Sequence, residues 1–265
     1  MMVCNPRRAP PDGVGRLLRE DQLEMQGLSR QAYVERYGHA WNVAEAAQEY
    51  VDRTDQESDQ RAEAFRAIVG LIPADRDAPI RVLDIGSGQG TAAAVLLDAF
   101  LNAHAVGLDV SEPMREIAGK RMAPYGDRFV YHLGDFVDGE LPADLTGSFD
   151  VALSSRAIHH LPAPKKQLLY KAIFQKLNPN GCFFNLDNAP PSDPFLRARY
   201  REAAYAIRGE SFDRNAPPAN RPPTPGHYWD TVPDHLRFLR EAGFESVDCF
   251  WRRLAITLIG GYRRA

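Results

Sequence analysis

Three glycines at alternate positions, Gly86, Gly88 and Gly90, close an apolar run in VLDIGSGQG, and an acid, Asp84, stands two residues before the first. Glycines so placed let backbone approach a ligand closely. Three kinds of ligand compete for such a turn. A phosphate loop needs Lys-Ser or Lys-Thr after its last glycine, and neither follows here. A nicotinamide dinucleotide turn has its third glycine three residues after the second, and Asp84 would sit beside its pyrophosphate. The third ligand is a nucleoside carrying an amino acid: an acid holds its ammonium, and the free N–H groups of a helix start favour its carboxylate.

Downstream residues extend this third reading. Asp109 follows Gly90 by 19 positions, at the carboxyl end of the second expected strand. A carboxylate there can accept both hydrogen bonds of a ribose diol. Asp135 and Phe136 close the third strand, where an acid meets an amino group beside an aromatic wall. Ligands of open α/β sheets lie outside the carboxyl ends of the strands, so these positions converge on one crevice.

The elements that must position them alternate. IRVLDIG, AHAVGLDV, RFVYHLGD, FDVALSS and CFFNLDN read as strands. TAAAVLLDAFL, SEPMREIAGKRM and PKKQLLYKAIFQKL read as helices, the last closed by NPNG. This pattern predicts a mostly parallel sheet with helices on both faces. ESVDCFW and LAITLIGGY follow the helix VPDHLRFLREAGF and are joined only by Arg252 and Arg253, which forces them antiparallel. Before the sheet, residues 1–30 read as a flexible arm and 31–79 as a helical cap of two or three helices; the catalytic domain is expected over 80–265. Within it, residues 190–230 hold eight of the chain's 20 prolines around the helical PFLRARYREAAYAIRG and read as an insertion covering the substrate.

Composition bounds the class. At 265 residues, with 44% hydrophobic and 25% charged residues, the chain suits a soluble globular protein. A net charge of −3 offers no basic stripe for nucleic acid. Cys4, Cys182 and Cys249 match no zinc or redox spacing and read as reduced structural thiols. No stretch is apolar enough to span a bilayer, and MMVCNPRRAPPDGVGRLL lacks the apolar region of a secretory signal, so a cytoplasmic location is expected, without membrane partners.

Taken in order, VLDIGSGQG, VGLDVSEPM, GDF, FDVALSSRAIHHL, KLNPNGCFFNLD and LREAGFESVDCFW resemble the class I S-adenosylmethionine-dependent methyltransferases over residues 80 to 189 and 231 to 262. The resemblance implies a Rossmann-like, seven-stranded, mostly parallel sheet with an antiparallel C-terminal strand. It implies S-adenosylmethionine as cofactor and S-adenosylhomocysteine as product. The cofactor contacts it implies are Asp84, Gly86, Ser87, Gly88 and Gly90 for the methionine end, Asp109 with Val110 for the ribose, and Asp135, Phe136 and Met114 for the adenine. Ser154, closing the fourth strand, joins this set.

The fourth strand delivers SSRAIHHL to the crevice mouth, where His159 is the first candidate base, with His160 and Arg156 beside it. Imidazole takes a proton readily near neutral pH. Adjacent positions on a helix diverge by about 100°, so the histidine pair is a poor chelate and no metal is expected. Asp187 and Asn188, ending the fifth strand, with Tyr37, Trp41, Tyr200, His227, Tyr228 and Trp229, are candidates for the acceptor pocket. Tyr33, Tyr50 and Tyr205 belong to the same two aromatic-rich segments, candidates for a lid that excludes water. Arg197, Arg199, Arg201 and Arg208 fit an acidic substrate or a solvated helix face. The expected acceptor is a small molecule, with specialised metabolism as its setting, and the expected assembly a monomer or homodimer. A tRNA wobble-uridine enzyme using the cofactor or its carboxylated form is an alternative, as is a cofactor-binding partner subunit without chemistry of its own. A nicotinamide-dependent oxidoreductase ranks last.

Overall fold

The computed structural model describes residues 42–56, 58–212 and 227–265. Tyr33, Tyr37, Trp41, Cys4 and the amino-terminal arm lie outside the described residues. Seven strands form one sheet: β1 (Arg81–Ile85), β2 (His104–Asp109), β3 (Phe129–Leu133), β4 (Phe149–Ser155), β5 (Leu177–Asn188), β6 (Glu245–Arg253) and β7 (Ile256–Tyr262). Their order is β3-β2-β1-β4-β5-β7-β6. β1 through β5 pair parallel, and β7 runs antiparallel to both β5 and β6. The Rossmann-like α/β sheet with its antiparallel terminal strand is the architecture the sequence implies.

Strand period explains the two cores. Successive side chains point to opposite faces, so Val82, Val151, Leu153, Phe184 and Leu258 enter one core while Leu83, Ala152, Phe183 and Ile259 enter the other. Helices α2 (Ser58–Leu71), α3 (Thr91–Ala99) and α4 (Glu112–Arg121) supply Phe65, Ile68, Leu96, Leu97 and Ala118 to the first. α5 (Ala163–Lys176) and α7 (Val232–Ala242) supply Leu169, Ile173, Phe238 and Leu239 to the second. α1 (Ala44–Gln56) packs Ala47 and Val51 on Met114 of α4. α6 (Pro194–Ile207), inside the proline-rich insertion, buries no residue fully. Among the described residues no helix is long and apolar enough to cross a membrane.

Local signals place several ends. Ser111 caps α4 by accepting from the Met114 N–H at 3.2 Å. Thr231 and Asp234 form a capping box on α7, which stops at Gly243 with φ 108°. Three boundaries differ from expectation. α5 ends at Lys176, directly before NPNG, but the strand starts earlier than expected: β5 begins at Leu177, and Asn178–Gly181 bulge out against β4, with Asn180 left-handed at φ 66° and Asn178 donating to Asp150 at 2.7 Å. The β6–β7 turn is Leu254-Ala255, because Arg252 and Arg253 stay in register with Thr257 and Ile256. Asp135 and Phe136 lie in the loop after β3 rather than in the strand, which ends at Leu133.

Gly260 marks the tightest approach of β7 to β5. A Cβ there would lie 2.2 Å from the Phe183 carbonyl oxygen and 2.7 Å from the Phe184 ring. Gly260→Ala is expected to lower stability by about 1–3 kcal/mol, read as an earlier urea midpoint.

Candidate active site

The strand order reverses between β1 and β4, and loops there leave in opposite directions, opening a crevice. Gly86, Gly88, Asp109, Val110, Met114, Asp135 and Phe136 line it together with Tyr50, Arg156 and His160, around about 770 Å³ of space. A second hollow of about 360 Å³ shares Tyr50, Gly86 and Gly88 and adds Asp84, Ser87, Arg61, Thr91 and Ser155. Most of the cofactor candidates thus converge on two joined spaces.

All three glycines of the turn are left-handed, with φ of 69°, 52° and 84° at Gly86, Gly88 and Gly90. Gly86 cannot be otherwise, since a Cβ would lie 2.1 Å from the Ala157 side chain. The turn is tied to β2: the N–H groups of Gly86 and Ser87 donate to the Leu108 carbonyl at 2.8 and 3.1 Å. Asp109 accepts from the Gly88 N–H at 2.8 Å and the Ser111 N–H at 3.0 Å. Burial raises its carboxyl above the usual range, against those N–H bonds. Gly90 sits away from the crevice at the start of α3, pressed on Met122.

Asp84 is 1% exposed. Its Oδ2 accepts from the Ser87 hydroxyl at 3.2 Å and the Ala93 N–H at 3.1 Å. Burial, with a smaller push from Asp109, raises its carboxyl to about 7. Its Oδ1, the Thr91 hydroxyl and the Ser155 hydroxyl are buried without a hydrogen-bond partner among the described residues. Such orphaned groups are costly unless a ligand completes them. Acceptor and hydroxyl groups around the start of α3 fit the ammonium and carboxylate of an amino-acid ligand.

Beyond the crevice, Ile158–His160 form a 3₁₀ turn rather than an α-helix. His159 is 8% exposed. Its Nδ1 lies 2.7 Å from Asp187 Oδ1, and its backbone N–H donates to Asp187 Oδ2 at 3.1 Å. Burial alone would raise Asp187, but His159 and the surrounding N–H donors hold it at about 2. An ionised Asp187 requires the proton on Nδ1, which leaves Nε2 as the acceptor. The rings of His227 and Trp229 stack on His159 at 4.8 and 4.7 Å, and the His160 ring lies 4.2 Å away. His160, not His159, lines the crevice itself. Helical divergence of neighbouring histidines therefore does not apply here: His159, His160 and His227 bring one ring nitrogen each within 4.8 Å of one another.

Not every candidate joins this group. Ser154 is buried within the sheet, donating to the Ile85 carbonyl at 2.8 Å. Asn188 and Tyr200 face a separate groove beside α6. Tyr228 contributes backbone: its N–H donates to the His159 carbonyl at 2.7 Å, and its carbonyl accepts from Lys166 at 2.6 Å. Lys166, fully buried, also pairs with Asp230. Arg156 lines the crevice with a left-handed φ of 59°, a strained conformation of the kind that gathers at functional sites. Sequence reasoning did not single out Thr91 or Ser155 and left Tyr50 among a row of aromatics. Only the parting of β1 from β4 brings them together.

A family model described as "Methyltransferase domain" matches residues 82–181. A demethylmenaquinone methyltransferase of Clavibacter sepedonicus is 30% identical over 171 residues, 63% of this chain and 66% of that protein. A ubiquinone biosynthesis O-methyltransferase of Aromatoleum aromaticum is 27% identical over 179 residues, 66% of this chain and 69% of that protein. The match to the first thus spans just under two thirds of that relative's length. The solved structure of PigF with SAH superposes with a TM-score of 0.60 at 17% identity, over 92% of this chain and 65% of that one, a likeness of fold.

The raised carboxyl of Asp84 predicts a pH dependence for any ligand whose ammonium it faces. Below about pH 7 its carboxyl is protonated in the free protein, and a neutral acid holds an ammonium poorly. Affinity for S-adenosylmethionine is therefore expected to fall as pH drops from 8 to 6, with a proton released on binding at the lower pH. Titration calorimetry in buffers of different ionisation enthalpy reads both; an affinity flat across this range would detach Asp84 from the ammonium.

Proposed function

We propose that this chain is a class I S-adenosylmethionine-dependent methyltransferase with S-adenosylmethionine as cofactor, and that it methylates a small-molecule acceptor lying against the 227–229 segment, with His159 as proton acceptor. The observation that carries this reading is the 2.7 Å contact between His159 Nδ1 and Asp187 beside the crevice. The names of the two quinone-pathway relatives support a small acceptor.

Each part of the cofactor has a counterpart. Asp84 would face the ammonium, the start of α3 the carboxylate, Asp109 the ribose hydroxyls, and Asp135, Phe136 and Met114 the adenine. Asp109 keeps accepting capacity after its two N–H bonds, since a carboxylate has about four lone-pair sites. Bound S-adenosylmethionine supplies a methyl carbon already activated by positive sulfur. The protein's share is then to align the acceptor and remove its proton. His159 Nε2 takes that proton, and the ionised Asp187 fixes the ring and stabilises the imidazolium that results. His227, Trp229 and Tyr50 supply walls that exclude water. A divalent ion on the three histidines would need the same Nε2, so the two roles exclude each other.

Calorimetry should show one S-adenosylmethionine per chain, and Asp109→Ala should weaken it by about 10- to 100-fold, the loss of one or two charged hydrogen bonds. No binding by the wild-type chain would sink the reading. With an acceptor found among quinols and phenols, His159→Ala should lower kcat by about 10²- to 10⁴-fold and leave cofactor affinity unchanged. Undiminished turnover would remove His159 as base, and activity lost to EDTA and restored by zinc would make the trio a metal site instead.

A further inference from the structure

Beside the crevice, between α6 and the β6–β7 turn, lies a groove of about 850 Å³ whose lining holds four arginines, Arg197, Arg201, Arg208 and Arg253, and no acidic residue. Arg197 and Arg201 lie four residues apart on one face of α6, and Arg208, its carboxyl-terminal cap, continues the stripe seven residues on. The like-charged pair Arg197 and Arg201, four residues apart, destabilises the helix. Arg253 arrives from β6, a different element, and faces the same space. Of the four, only Arg208 has a carboxylate partner among the described residues, Glu210 at 2.8 Å. Arg197 donates to the Pro191 and Ser192 carbonyls, and Arg201 lies over the Phe212 ring at 5.9 Å.

A solvated helix face would spread its charges. Here Arg199, off the stripe, pairs with Glu202, while the stripe itself points at the groove. The floor is apolar, with Tyr200, Ile207 and Ile256. Its rim includes Leu254, left-handed at φ 55° in the hairpin turn, a position that favours glycine or asparagine. The groove also touches Asn188, the residue after the carboxylate that holds His159.

Resting on the methyltransferase reading above, we propose that this groove binds the anionic end, carboxylate or phosphate monoester, of an amphipathic acceptor whose other end reaches the His159 wall. Guanidinium groups pair with both anions in bidentate fashion, and the apolar floor takes the body of the molecule.

The test uses the full chain saturated with S-adenosylhomocysteine. Calorimetry with decanoate, decyl phosphate and 1-decanol should show saturable binding of the two anions and none of the alcohol. The double variant Arg201→Ala/Arg253→Ala should weaken both anions at least tenfold, with S-adenosylmethionine affinity unchanged, and Arg199→Ala should change neither. The ratio of decanoate to decyl phosphate affinity assigns the head group. ω-Bromo carboxylates of six to twelve carbons should include one that quenches Trp229, read against Trp229→Phe. No anion binding, equal binding of the alcohol, or indifference to the double variant would overturn the proposal; absence of Trp229 quenching at every length would overturn its link to the acceptor. Loss of S-adenosylmethionine binding by the wild-type chain is a separate result, against the methyltransferase reading itself.

Discussion

Parallel strands laid side by side present their last peptide groups to the same space, and between β1 and β4 the reversal of strand order leaves that space uncovered. Most of the residues expected to hold a cofactor gather there or in the adjoining hollow. The glycine turn can bend into the gap because its three left-handed residues carry no Cβ, and Leu108 and Asp109 of the neighbouring strand fix it through three N–H bonds. From the other side, β4 delivers Arg156 and the 3₁₀ turn with its histidines. The sheet is therefore a rigid frame for two loops that would otherwise have no reason to meet.

Two buried carboxylates show how far environment decides chemistry. Asp84 and Asp187 are both almost wholly hidden, at 1% and 3% exposure. Asp84 meets one hydroxyl and one peptide N–H, and burial lifts it to about 7. Asp187 meets an imidazole and two peptide N–H groups, which outweigh the same burial and hold it at about 2. One acid is left incomplete, as a group awaiting a cation would be; the other is already paired and orients its partner. Such a separation assigns different work to two identical side chains.

The crevice was legible in the sequence because its parts obey local rules. Alternating glycines, an acid at the end of β2 and a capping serine before α4 each have a spacing that can be read without tertiary structure. The β5 bulge was not legible: NPNG has turn chemistry, and only pairing with β4 shows the chain continuing as a strand around it. The hairpin turn misled for a related reason, since Leu254-Ala255 lacks the residues that a two-residue turn prefers. The histidine group was legible only in part. His159 and His160 stood out, but His227 comes from 67 residues away, and no periodicity links it to Asp187. Tyr50 was hidden similarly: its helix announces an apolar face but not that the face closes over a cofactor fold.

The buried Lys166, which grips the Tyr228 carbonyl and Asp230, divides the long crossing from β5 to α7 into two parts with different obligations. The stretch from His227 onward is anchored to α5 by a charge pair that would be expensive to break once buried. The aromatic rings it lays on His159 inherit that anchorage. α6, in contrast, buries no residue fully. Sequence change on α6 therefore carries little consequence for the rings over His159. The fold thus sets a segment held fast against His159 beside a helix that is free to vary.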